Sequence, residues 1–149
     1  MIRTAVRRRG SVLIESAAIY PILFLIILAI ILLGLTVFRF QQVAHIAREA
    51  SRWASVHGAQ YAKETGNPAA TPTDVYNSAI LPMASGMDPT GISYSVTWNS
   101  SNSPTHSVVK SGTVTAVSNT VLVKVTYTWN TGLFGTIPVS STSVNIMSY

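Results

Sequence analysis

The chain has 149 residues, 48% of them hydrophobic and only 10% charged, with a formal net charge of +5 and no cysteine. That length allows one modest domain plus an N-terminal segment, and the absence of thiols excludes disulfides, thiolate metal sites and thiol catalysis. The positive charge is no nucleic-acid signature, because it is concentrated at one end: Arg3, Arg7, Arg8 and Arg9 precede the first acid.

Residues 1–10 form a basic leader. The segment 11–38 follows, and from Ala17 to Phe38 it has no charged side chain across 22 residues (AAIYPILFLIILAIILLGLTVF). A helix of that length, rising about 1.5 Å per residue, matches the roughly 30 Å hydrocarbon core of a bilayer. A buried core helix would have to be apolar all round inside a chain too short to enclose it. A cleaved secretory signal has a shorter apolar region of about 7–15 residues and a small-residue cleavage site, whereas this run ends in Arg39-Phe40-Gln41-Gln42. The Arg8-Arg9 pair suggests twin-arginine export only weakly, since the run is again long for a signal. The sequence therefore predicts a single transmembrane helix contacting membrane lipid. Arg7, Arg8 and Arg9 hold its N-terminus on the cytoplasmic side and send everything after Phe38 outward. Arg39, Arg48 and Arg52 on the far side thin that margin.

Over 39–63 the helical period continues. Val43, Ile46, Ala47, Ala50, Trp53, Ala54 and His57 recur at three- and four-residue intervals, with Arg48, Glu49, Ser51, Arg52 and Ser55 between them. An amphipathic extension of the membrane helix is expected, with Gly58 an early candidate for its end and Gly66-Asn67-Pro68 a firm one. Residues 64–91 read as a connector containing a short helix capped by Thr73, with Val75, Tyr76, Ala79 and Ile80 inward and Pro82 near its end.

After Gly91 the period changes to two. Ile92, Tyr94, Val96 and Trp98 alternate with polar residues, as do Val121, Val123, Val125, Tyr127 and Trp129, and a hairpin turning at Lys110-Ser111-Gly112 fits between them. Near the C-terminus Ile137 and Val139 are in one phase but Val144 and Ile146 in the other, which predicts a bulge or bend. Residues 92–149 are thus an antiparallel β region of three to five strands, and the amphipathic helix is the long apolar stripe available to cover it. The fold class expected is α+β: a long N-terminal helix, half transmembrane and half exported, packed on a small C-terminal antiparallel sheet.

One spaced set lies at the membrane lip. Gly10 is followed by Ser11-Val12-Leu13-Ile14, then Glu15, with Pro21 six residues later and Ala47-Arg48-Glu49-Ala50-Ser51-Arg52-Trp53-Ala54 beyond the apolar run. The first part resembles the processing site of type IV pilin precursors. The set as a whole resembles the TadE-like family of the tight-adherence (Flp-type) pilus machinery, strongly over about 45 residues and only in general character beyond them. Ser16 departs from that pattern, since many relatives carry an aromatic residue beside the glutamate. The resemblance implies a pilin-like fold. It also implies that a prepilin-type peptidase cuts between Gly10 and Ser11, leaving Glu15 fifth in the mature chain.

Physical reasons accompany the resemblance. Gly10 has no side chain, so an extended backbone there is open to a protease. A carboxylate drawn into hydrocarbon costs up to a few kcal/mol, less near the interface. Two readings of Glu15 stay open: it neutralises the amine freed on Ser11 of its own or a neighbouring subunit, or it sits among headgroups favoured by the helix dipole. Pro21 either loosens the first turns or lets the helix bend during packing. Arg48, Glu49 and Arg52 are either a partner-recognition face or a solvated face with a weak Glu49/Arg52 pair.

No catalytic constellation is evident. His45, His57 and His106 are dispersed, the pair His45/Glu49 is too few for a metal site, and no serine lies in a nucleophile motif. The expectation is no enzyme, no cofactor and no metal. Tyr94, Trp98, Tyr127 and Trp129 alternate along strands as core residues do. The function implied is that of a membrane-anchored, pseudopilin-like component of an adhesion pilus or secretion assembly. It would reside in the inner membrane with its C-terminal region exported, meeting the peptidase and other pilus subunits, and forming homo- or hetero-oligomers through its N-terminal helix. The alternatives are an anchored adhesin-like module, whose Trp98 and Trp129 would form one exposed patch, and a scaffold of another envelope complex.

Overall fold

The computed structural model describes residues 7–132 and 135–148, with side chains from Val12 onward. The six N-terminal leader residues and the side chains of Arg7, Arg8, Arg9 and Ser11 lie outside the described residues.

The first element, α1, runs Arg7–Val56 and contains Pro21. By chain contacts the protein divides into two compact units, Met1–Phe38 and Arg39–Tyr149, so the boundary falls where the uncharged run ends. Among the described residues one helix is long and apolar enough to cross a membrane; its span, Val12–Val56, reaches a mean hydropathy of 3.0 in its most apolar window, none of which is buried within the protein. Ile14, Phe24, Ile30 and Leu33 are each more than 60% exposed, a surface that calls for an apolar solvent.

The second unit is α+β. Helix α1 stops at Val56, and Gly58 caps a short α2 (Ala59–Thr65) that ends at Gly66 in the left-handed conformation, φ 76°. The amphipathic stretch 39–63 is therefore two helices rather than one. The break has a tertiary cause: the Ala59 amide donates to the Asn102 carbonyl (2.7 Å) and the Ala70 amide to the His57 carbonyl (2.9 Å), so both backbone groups have partners outside the helix.

The connector holds α3 (Pro72–Val75), which continues through a π turn over Tyr76–Ile80 and a 3-10 turn over Leu81–Met83. Its cap is Thr71, not Thr73. Pro72 occupies the first helical turn, where a missing N–H costs nothing, and Asp74 sits at the third position, so Thr71 and Asp74 form a reciprocal capping box. Val75, Ala79 and Ile80 are buried and Tyr76 is half-buried, stacked on Tyr94 with ring centres 4.6 Å apart.

Five strands follow: β1 (Ile92–Trp98), β2 (Thr105–Lys110), β3 (Thr113–Ser118), β4 (Thr120–Asn130) and β5 (Thr136–Ile146). Strands β1, β4 and β5 form an antiparallel sheet in the order β1-β4-β5, and β2 and β3 form a separate antiparallel ribbon. The ribbon turns at Ser111 and Gly112, both with positive φ (51° and 80°), the requirement of a tight two-residue hairpin whose twist matches its strands. Its base is fixed by the buried Asn119. The Asn119 amide donates to the Pro104 carbonyl, its carbonyl accepts from the Met147 amide, and its side-chain nitrogen donates to the carbonyls of Ser101 and Ser103.

The core lies on one face of the three-stranded sheet. Val121, Val123, Val125 and Tyr127 of β4 and Val139 of β5 pack with Val43, Ile46, Ala47, Ala50 and Ala54 of α1 and with Val75, Ala79, Ile80, Ala84 and Met87 of the connector. This is the α+β arrangement expected, a long helix on a small antiparallel sheet.

The expected bulge in the last strand is absent. Every residue of β5 pairs in unbroken register with β4, from Thr136 opposite Asn130 to Ile146 opposite Thr120. Period two then places Ser141, Ser143 and Asn145 on the face of Ile137 and Val139, and leaves Val144 and Ile146 outward at 58% and 61% exposure. The polar inner residues are accommodated because the helix facing them is also small and polar. Ser51 and Ser55 are buried, at 1% and 3% exposure, not turned to solvent. Ser51 Oγ lies 2.9 Å from Ser143 Oγ and donates to the Arg48 carbonyl, while the Ser148 amide donates to the Ser55 carbonyl.

Candidate functional site

The residues singled out by sequence lie along α1 in two groups. The first is Gly10, Ser11, Glu15 and Pro21. The backbone of Gly10 and Ser11 is helical, not extended, because nothing between Arg7 and Pro21 breaks the helix. Glycine inside a helix costs about 1 kcal/mol relative to alanine, so this is the weakest point of the first turns. Glu15 stands five residues on, about 140° around the axis from Gly10. It is exposed, and among the described residues its carboxylate has neither hydrogen bond nor ion pair. Ser16, beside it, donates to the Val12 carbonyl (2.8 Å), which occupies its hydroxyl within the helix.

Pro21 lies inside α1, where it has no N–H to give the Ala17 carbonyl and its ring crowds that oxygen. Thr36, by contrast, satisfies its hydroxyl internally on the Leu32 carbonyl at 2.8 Å. A bare acid and a proline-freed carbonyl are therefore two polar groups at the N-terminal end of an otherwise apolar stretch.

The second group is the stretch Ala47–Ala54. Ala47, Ala50 and Ala54 are fully buried against the sheet, which leaves Arg48 and Arg52 exposed and Glu49 half-buried on the other side. Arg52 Nη1 meets Glu49 Oε1 at 3.4 Å, a long contact between partly exposed groups, worth about 0.3 kcal/mol in an exposed helix. The pair is thus available for rearrangement. The small alanines serve the fold of this unit, since they belong to the buried core shared with β4 and β5.

Several contributors were not legible as such. Arg39 donates to Gln42 Oε1 (2.8 Å) and lies 5.9 Å from the centre of the Tyr127 ring, within cation–π range. Gln42 in turn donates to the Ser85 carbonyl (3.3 Å), and the Asp88 amide donates to the Tyr127 hydroxyl (3.4 Å). These contacts tie the connector to the first turn of the second unit. Trp98 and Trp129 are half-buried and pack against the core, so the exposed aromatic patch on which a surface-binding reading depends is not formed. Among the described residues no group of three His, Cys, Asp or Glu is placed to hold a metal ion.

Residues 10–52 match the family described as TadE-like protein, a stretch of less than a third of the chain that contains Gly10, Glu15, Pro21, Arg48, Glu49 and Arg52. No curated protein and no solved structure matches significantly.

Proposed function

We propose that this chain, TadE-like over residues 10–52, is a membrane-anchored, pseudopilin-like component of a tight-adherence pilus or secretion assembly that acts through packing rather than catalysis. The observation that carries the reading is that the family match falls on a single helix, α1, whose most apolar window has a mean hydropathy of 3.0. The anchor is α1 up to Phe38 in the inner membrane, oriented by Arg7, Arg8 and Arg9 with the N-terminus cytoplasmic. Residues 39–149 are the exported part.

In this reading a prepilin-type peptidase unwinds the first turns of α1 at Gly10 and cuts before Ser11. The freed amine of Ser11 is then neutralised by Glu15 of the same or a neighbouring subunit, a pairing that lowers the cost of a carboxylate at the edge of hydrocarbon. The carbonyl left free at Ala17 by Pro21 is a further polar group for a neighbouring helix to satisfy. Arg48, Glu49 and Arg52 form the partner-facing surface of the exported part. Their weak mutual pair supports this, because exchanging it for a contact with another subunit sacrifices little.

Mild cross-linking in intact membranes, followed by solubilisation and identification of the bound chains, tests the reading. Pilus-system subunits should be recovered with the wild-type chain and lost with Arg48→Ala/Arg52→Ala. Recovery of none of them from wild type, or of an unrelated envelope complex, would overturn it.

A further inference from the structure

Across the break between α1 and α2 three aromatic side chains, four residues apart in sequence, form a column. Trp53 stacks on His57 with ring centres 3.9 Å apart and planes 12° from parallel, and His57 meets Tyr61 at 4.7 Å. The His57 Nδ1–H donates to the Trp53 carbonyl (2.8 Å), which fixes the imidazole within the column. The column forms one side of an open surface pocket of about 260 Å³, completed by Pro68, Ala70, Asp74 and Ser78.

The walls are braced independently of any ligand. The Ala70 amide is held by the His57 carbonyl (2.9 Å) and the Ala70 carbonyl by the Asn102 side-chain amide (2.8 Å). Asp74 is held by Thr71, whose amide and hydroxyl both donate to Asp74 Oδ2 at 2.9 and 2.7 Å. Those two hydrogen bonds keep the carboxyl below its ordinary range, so it is ionised at neutral pH. Among the described residues no basic side chain pairs with Asp74, although the protein as a whole carries a net charge of +5.

Asp74 is exposed at the rim of an open pocket, so a cation arriving from solvent can meet its ionised carboxylate while lying against the neighbouring electron-rich ring faces. Planarity and weak hydration make a guanidinium the cation best able both to stack on such rings and to hydrogen-bond a carboxylate. We infer that the pocket between Trp53, His57, Tyr61 and Asp74 is a binding site for an arginine side chain presented by another polypeptide. The Trp53 and Tyr61 rings supply the stacking surface, and the Asp74 carboxylate accepts the guanidinium N–H groups.

The test is a titration of the full chain, in polyoxyethylene ether micelles, with Nα-acetyl-arginine amide, followed by NMR at the Trp53 indole and Asp74 amide. Asp74→Asn removes the charge but keeps an oxygen for the Thr71 amide, whose own shift reports whether the cap survives. Tyr61→Leu serves as a second variant that leaves Asp74 intact. Saturable shifts are expected, weakening about tenfold in Asp74→Asn, the ratio of one charge-assisted contact, and weakening again as salt is raised. Binding unchanged by both variants, the absence of saturable shifts, or shifts produced by methyl glucoside in place of the arginine amide would overturn the assignment.

Discussion

Gly91→Ala probes the junction that holds the connector against the sheet. A β-carbon at Gly91 would lie 2.9 Å from the Thr128 carbonyl oxygen and 3.1 Å from Cε2 of Tyr127. Ordinary carbon–oxygen contacts begin near about 3.3 Å, so the backbones must separate by about 0.4 Å. The obstacle is a main-chain oxygen of β4, which cannot rotate away, and the Tyr127 ring is held by the Asp88 amide and lies under Arg39. Overpacking of this kind costs about 1–3 kcal/mol. For a unit of this size that corresponds to a fall of about 5–15 °C in the melting temperature. The assay is near-UV circular dichroism of the full chain in detergent, which follows the stacked Tyr and Trp side chains of the second unit. Gly34→Ala is the control, because a β-carbon there meets nothing within 4 Å. Equal melting temperatures for Gly91→Ala and wild type would refute the reasoning.

Asn119→Ala should cost about 1–3 kcal/mol, since it removes the side-chain donor to the Ser101 and Ser103 carbonyls at a fully buried position, measured by the same melt. Asp74 and Asp88 are both held below the ordinary carboxyl range, chiefly by the hydroxyls of Thr71 and Thr90 respectively. A depressed folded pKa contributes stability that is present above the unfolded value of about 4 and is lost as pH falls through the folded value. Carbon-detected NMR titration of Thr71→Val should therefore show the Asp74 carboxyl titrating at higher pH than in wild type while Asp88 is unmoved. Arg52→Ala should change stability by less than about 0.5 kcal/mol, yet reduce cross-linking to partner subunits; a large loss of stability would identify the residue as structural instead.

The sequence made the two periodicities plain, and with them the fold class. Three- and four-residue spacing marked Val43, Ile46, Ala47, Ala50 and Ala54 as one buried face, and alternation marked Val121 through Tyr127, because each element buries a single continuous apolar side. What stayed hidden depended on partners distant in the chain. Ser51 and Ser55 read as solvent positions, but both are buried, with Ser51 Oγ 2.9 Å from Ser143 Oγ of β5 and the Ser55 carbonyl accepting from the Ser148 amide. Val144 and Ile146 read as core in a shifted phase, whereas the unbroken β4–β5 register turns them outward. The end of α1 at Val56 required Asn102, more than forty residues away, to take the Ala59 amide. At the candidate site the spacing of Gly10, Glu15 and Pro21 was readable outright, but the helical backbone at Gly10 was not, since glycine alone favours the opposite expectation. The pocket beside Trp53 was out of reach, because the aromatic column gains Asp74 and Pro68 only through the fold.

The central claim is that α1 begins, in its working form, at Ser11 and is retained in the membrane. Intact-mass analysis of the chain extracted from alkali-washed membranes of cells containing a prepilin-type peptidase tests it most directly. A membrane-bound species lacking residues 1–10 is expected, replaced by the full-length mass when the peptidase is inactivated. A full-length mass in the presence of active peptidase would contradict it, as would a chain cut beyond Phe38 and released from the membrane.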